Sequence, residues 1–108
     1  RRGIFFSGVL IASHWDKDSS ELNLPELIVH YVEPGSDSAM EGIGVGQFLY
    51  SLNGIKVNNT QQLYNLIKSS EKENKKVVVK LKELADGGQS YFQYLEVELK
   101  VKNIKEIH

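Results

Sequence analysis

At 108 residues the chain has length for one domain with an ordinary core, and the absence of cysteine excludes disulfides and thiol chemistry. Hydrophobic residues make up 41% and charged residues 25%, as in globular proteins generally, and the formal net charge is −1. That charge supplies no field to attract nucleic acid or an anionic membrane, and no apolar run approaches the length of a membrane span.

The sequence starts abruptly at Arg1-Arg2-Gly3, without a signal-peptide pattern, and reads as a domain (1–108) excised from a longer protein. Residues 4–13 are apolar on both alternating faces, with only Ser7 and Gly8 as interruptions. They predict one strand, either buried on both sides or turning its second face to a ligand. Residues 14–25 are polar and read as an exposed loop pinned by Trp15, the single tryptophan. Residues 26–33 predict the second strand. Pro34-Gly35 ends it, because proline fixes φ and lacks a donor while glycine accepts a positive φ.

Residues 36–41 suffice for about one and a half helical turns, with Ser36 or Asp37 as N-cap. Gly42, Gly44 and Gly46 then turn the chain. Residues 48–52 predict a short strand closed by Asn53-Gly54, and 55–57 a strand stub. A longer helix is expected from Asn59 to about Ser70, capped by Asn58 or Asn59. At 100° per residue Leu63, Leu66 and Ile67 form a core-facing stripe. Thr60, Tyr64 and Ile67 fall within roughly 60° of one another on the adjoining face.

The charged run 71–76 ends that helix. Val77, Val79 and Leu81 alternate with Lys80 and Lys82, and Leu95, Val97, Leu99 and Val101 alternate with charges more strictly still. These predict two strands, the second reaching from Tyr91 to Lys102. Residues 85–89 carry the turn chemistry of a hairpin between them, across which lysines and glutamates can pair.

The order strand, Pro-Gly corner, short helix, glycine-spaced turn, strand, Asn-Gly, longer helix resembles a PDZ domain over residues 4–99. The opening Arg2-Gly3-Ile4-Phe5-Phe6-Ser7-Gly8 is similar to the start of the PDZ domains behind the catalytic domain of HtrA (Deg) serine proteases. In that bacterial, permuted strand order the ligand-facing strand comes first. The resemblance implies an α+β fold: a partly open β-barrel or sandwich of five to six mainly antiparallel strands with one short and one long helix. Two positions depart from the family pattern. Gln47 follows Gly46 where aspartate is common, and Ile4-Phe5-Phe6 lacks the internal glycine of the carboxylate-binding loop.

A PDZ groove works by β-augmentation: a peptide adds as a strand to a sheet edge while side-chain pockets select its sequence. The resemblance places the edge at Phe5 to Val9 and the opposite wall at Thr60, Tyr64 and Ile67. The expected peptide-binding residues are Arg2, Gly3, Ile4, Phe5, Phe6, Ser7, Val9, Thr60, Tyr64 and Ile67. Arg2 would attract a terminal carboxylate, and one of the two phenylalanines is expected in the core. Thr60 stands where a histidine would select a hydroxylated ligand residue, so no such selection is expected.

The implied function is non-catalytic. The module binds extended, unfolded or C-terminal peptide segments and feeds or regulates the protease domain of a trypsin-like serine endopeptidase, in a periplasmic or cell-envelope setting, with oligomers formed through the parent protein. The alternatives are a PDZ-fold assembly or spacer domain whose groove is filled by its own side chains, and a PDZ domain of another protease or a scaffold. No catalytic residue, cofactor or metal is assigned. There is no Gly-x-Ser-x-Gly elbow, and capping explains Ser36. His14-x-Asp16-x-Asp18 with Ser20 and Glu21 resembles half an EF-hand loop, but lacks its sixth-position glycine and closing glutamate. His30 reads as a half-buried strand histidine.

Overall fold

A computed structural model of the chain describes residues 3–13, 27–84 and 92–108. Within them the apolar opening run is a hairpin: β1 (Gly3–Phe6) and β2 (Val9–Ser13) pair antiparallel, with Phe6 opposite Val9. The two residues between them, Ser7 (φ 51°) and Gly8 (φ 89°), both take the left-handed conformation that a type I′ hairpin turn requires. This corrects the expectation of one continuous strand over residues 4–13. The Ser7-Gly8 dipeptide is the reversal point, not an interruption.

β3 (Leu27–Val32) runs back along β2, and the register shifts between Leu10 and Ile11, leaving His30 as the extra residue of a bulge. The chain then enters α1 (Asp37–Met40), whose N-cap Ser36 accepts from the Ala39 N–H at 3.2 Å. β4 (Phe48–Leu52) follows the glycine turn, where the buried Gln47 accepts from the Gly44 N–H at 3.0 Å. Gln47 therefore braces the turn through its own side chain.

Asn53-Gly54 turns the chain into β5 (Ile55–Lys56), with positive φ at both residues. Asn59 caps α2 (Thr60–Lys72) by accepting from the Gln62 N–H at 2.8 Å. β6 (Lys76–Leu84) and β7 (Phe92–Lys100) form a nine-residue antiparallel pair. A last strand, β8 (Lys105–Ile107), has no counterpart in the sequence expectations.

The result is an α+β fold: one antiparallel sheet in the order β7-β6-β4-β3-β2-β1-β8, with β5 beside β4, and two helices. Among the described residues eight strands replace the expected five to six, because the first expected strand is two and β8 is additional. The sheet is open, not closed into a barrel. Its core side is filled by Val77, Val79 and Leu81 from β6 and Val97 and Leu99 from β7, which pack with Ile4, Phe6, Leu52, Leu63 and Ile67. Alternation puts Lys80 and Lys82 on the other face, as the period-2 pattern demands.

Candidate functional site

The expected groove needs β1 to expose one flank beside α2. In the structure Gly3, Ile4 and Phe5 pair with Ala12, Ile11 and Leu10 on one side and with Ile107, Glu106 and Lys105 on the other. Val9 belongs to β2, which lies between β1 and β3. The edge assigned to Phe5–Val9 is thus already hydrogen-bonded by the domain's own backbone. The expectation of a free edge there is corrected.

Side-chain burial points the same way. Ile4, Phe6, Val9 and Ile67 are all 0% exposed, and they join Leu63 in one apolar cluster. α2 packs directly on β1, so these residues close the crevice that was expected to admit a ligand. Gly3 and Ser7 are buried, while Phe5, Thr60 and Tyr64 are half-buried. Tyr64 packs against the core cluster and is not an exposed contact aromatic. Arg2 lies outside the described residues.

Phe6 is the core phenylalanine of the pair, and Phe5 points to the opposite face. There Phe5 lines a hollow of about 210 Å³ with Ser7, Gly8, Ser36 and Lys102. The carboxylate-binding loop was expected at Ile4-Phe5-Phe6, of which Ile4 and Phe6 are buried. In the Ser7-Gly8 turn the Ser7 N–H donates to the Lys102 carbonyl at 2.8 Å. The Ser7 carbonyl accepts from Ser38 Oγ at 2.8 Å, and the Gly8 carbonyl from the Glu33 N–H at 2.7 Å. The hairpin turn is a structural joint between the sheet and α1.

His30 Nε2 lies 3.1 Å from the Ser13 carbonyl, a contact within the protein of the kind expected for a strand histidine. His14, Trp15, Asp16, Asp18, Ser20 and Glu21 lie outside the described residues, as does the turn 85–89. Among the described residues no three His, Asp or Glu side chains gather as metal ligands would, and no helix is long and apolar enough to cross a membrane.

The sequence reading missed the outward face of β4, β6 and β7. Lys80 Nζ lies 5.5 Å from the Tyr50 ring centroid and 5.1 Å from that of Tyr94. Lys82 Nζ lies 5.8 Å from Phe48 and 4.9 Å from Phe92. Tyr50 and Tyr94 meet edge to face, with centroids 5.4 Å apart. Each lysine is therefore held between an aromatic of β4 and one of β7. The signal was present as Phe48-x-Tyr50, Lys80-x-Lys82 and Phe92-x-Tyr94, three period-2 pairs that become one surface only when the strand order is known.

No family model matches this chain, and no curated protein does.

Proposed function

We propose that this chain is a non-catalytic, PDZ-like protein-interaction module of an HtrA-like serine endopeptidase in an extracytoplasmic setting, serving assembly or placement of the protease domain rather than capture of peptide ends. The resemblance that supports the family reading is the run Pro34-Gly35, α1, glycine turn, β4, Asn53-Gly54, α2. The observation that favours assembly over capture is the pairing of β1 on both flanks.

The test is a titration of a C-terminal peptide library against the 108-residue chain, read with amide hydrogen exchange. The expected result is no saturable binding and slow exchange through β1. Peptide binding that maps to β1 in the unaltered protein would overturn the reading. For the parent protease, loss of this module is expected to change oligomeric state while cleavage of short peptides persists.

One observation favours a second reading. β8 covers β1 with only three residues, and Lys105 and Ile107 are exposed. If β8 acts as a removable cover, Glu106→Pro/Ile107→Pro should uncover the β1 flank, and library peptides should bind that variant alone.

A further inference from the structure

Among the described residues β7 is the outermost strand on its side of the sheet and pairs with β6 alone. From Phe92 to Glu98 its second flank has no backbone partner among the described residues, and at Lys100 the carbonyl is taken by Ser7 Oγ. An unpaired flank of this length is a template for another strand. β1, β2, β3, β4 and β6 each lie between two neighbours, and the opposite edge, β8, has three residues.

The two sides of the β7 edge differ in chemistry. The outward side presents Phe92 (47% exposed), Tyr94 (55% exposed), Glu96 and Glu98. Neither glutamate forms an ion pair among the described residues. Val78 lies opposite Glu98, and Lys80, opposite Glu96, has its ammonium over the tyrosine rings. The inward side carries Leu95, Val97 and Leu99, with the exposed Gln93 at its open end. Leu95 lies against Gly42, and a hollow of about 240 Å³ opens between α1 and the end of β7, where Met40 and Leu99 share the lining with the charged Asp37, Glu41, Glu98 and Lys100. Met40 is 80% exposed there.

A strand laid on β7 would send alternate side chains to these two sides. We propose that β7 is a docking edge for an extended segment of a partner protein that alternates cationic with apolar residues. Two cations face Glu96 and Glu98, and the apolar set faces Leu95 and Met40. Lys100, with Lys76 opposite, makes the far end of the edge cationic, which confines the partner's cations to those two positions. The inference rests on reading the chain as a protein-interaction module and names the surface that module uses.

The probe is an acetylated, amidated heptapeptide alternating valine with lysine, titrated into the isotope-labelled 108-residue chain. Amide shifts should be confined to Phe92 through Glu98 and the neighbourhood of Met40. Reversing both charges, Glu96→Lys/Glu98→Lys, should weaken binding about tenfold, with a melting curve showing that the variant is still folded. The same variant should gain affinity for the peptide with glutamate in place of lysine. No saturable binding at millimolar peptide would overturn the inference and leave Glu96 and Glu98 as charges that protect the edge from self-pairing. Binding at β7 that ignores charge reversal would overturn the assigned partner chemistry. Shifts centred on β1 would overturn both this inference and the closed-flank reading, whereas silence at both edges would overturn this inference alone.

Discussion

Ser7 and Lys102 exchange hydrogen bonds: the Ser7 N–H donates to the Lys102 carbonyl at 2.8 Å, and the Lys102 N–H donates to Ser7 Oγ at 3.1 Å. The Ser7 hydroxyl also donates to the Lys100 carbonyl. One serine thus ties the first turn of the chain to the segment leaving β7, 95 residues later. The tie positions that segment to return as β8 along β1.

Removing this hydroxyl should therefore unfasten the joint. Ser7→Ala is expected to lower stability by about 1–3 kcal/mol, since Ser7 is buried and its partners lose a donor and an acceptor. Ser7→Gly loses the same bonds but relieves the left-handed backbone at φ 51°, which for a non-glycine residue costs roughly 1–2 kcal/mol. Urea unfolding should rank the wild type above Gly, and Gly above Ala, with unchanged m-values. Equal stability of Ser7→Ala and wild type would show the hydroxyl bonds to be negligible.

Gly8 makes the complementary case, because space and conformation both exclude a side chain. Its φ is +89°, and a Cβ there would collide with Cβ and Oγ of Ser36. Gly8→Ala should cost about 2–5 kcal/mol, combining overpacking with backbone strain. The Ser36→Gly change alone should cost only a few tenths of a kcal/mol, roughly, because glycine is a tolerable N-cap. Made together, the two should be less damaging than their sum, since removing the Ser36 side chain clears the collision. Strict additivity in thermal or urea unfolding would place the cost of Gly8→Ala in the backbone alone.

These two residues also mark the limit of what the sequence disclosed. Ser36 and Asn59 as caps, the Asn53-Gly54 turn, and the inward Val77, Val79 and Leu81 were all legible, because local chemistry dictates each one. The hairpin within residues 4–13 was not. A run that is apolar on both faces keeps no period to betray a reversal, and only the Ser7-Gly8 dipeptide carries the signal. β8 is harder still. Lys105-Glu106-Ile107 has no strand pattern of its own and is extended because the flank of β1 supplies a ladder. Since the expected groove depended on that flank, the error in two short strands became the error in the site. The bulges at His30 and Tyr50 arise from register, which no single strand records.

The helix face offers a graded prediction. Leu63 is 0% exposed and sits among the largest buried side chains, whereas Leu66 is only partly buried against the same cluster. Leu63→Ala should cost about 2–5 kcal/mol as a cavity in packed surroundings, and Leu66→Ala about 1 kcal/mol from partial burial. Tyr64→Asp should also destabilise, because Tyr64 packs on the core. If Leu66→Ala proved the costlier of the two leucine changes, α2 would be rotated from the position described.

The last prediction concerns the lysines on the outward face. Lys80 Nζ touches two rings that themselves meet edge to face, so its charge joins β4 to β7 across the intervening β6. A cation at an exposed aromatic site contributes about 0.5–1 kcal/mol. Lys80→Gln should therefore lose roughly that much for the ring contacts, whereas Lys80→Arg, which keeps the cation and stacks on aromatic faces, should lose little. The cross-strand neighbour Glu96 complicates a single substitution, because Lys80→Gln also removes the opposite charge from that pair. A double-mutant cycle of Lys80→Gln with Tyr94→Leu isolates the ring contribution, and its coupling energy should be about 0.5–1 kcal/mol. A second cycle of Lys80→Gln with Glu96→Gln should give a smaller coupling, because the ammonium lies over the rings. Were the second coupling the larger, Lys80 would belong to Glu96 in solution. The glutamate would then be neutralised within the fold, and the β7 edge would have only Glu98 to offer a cationic partner.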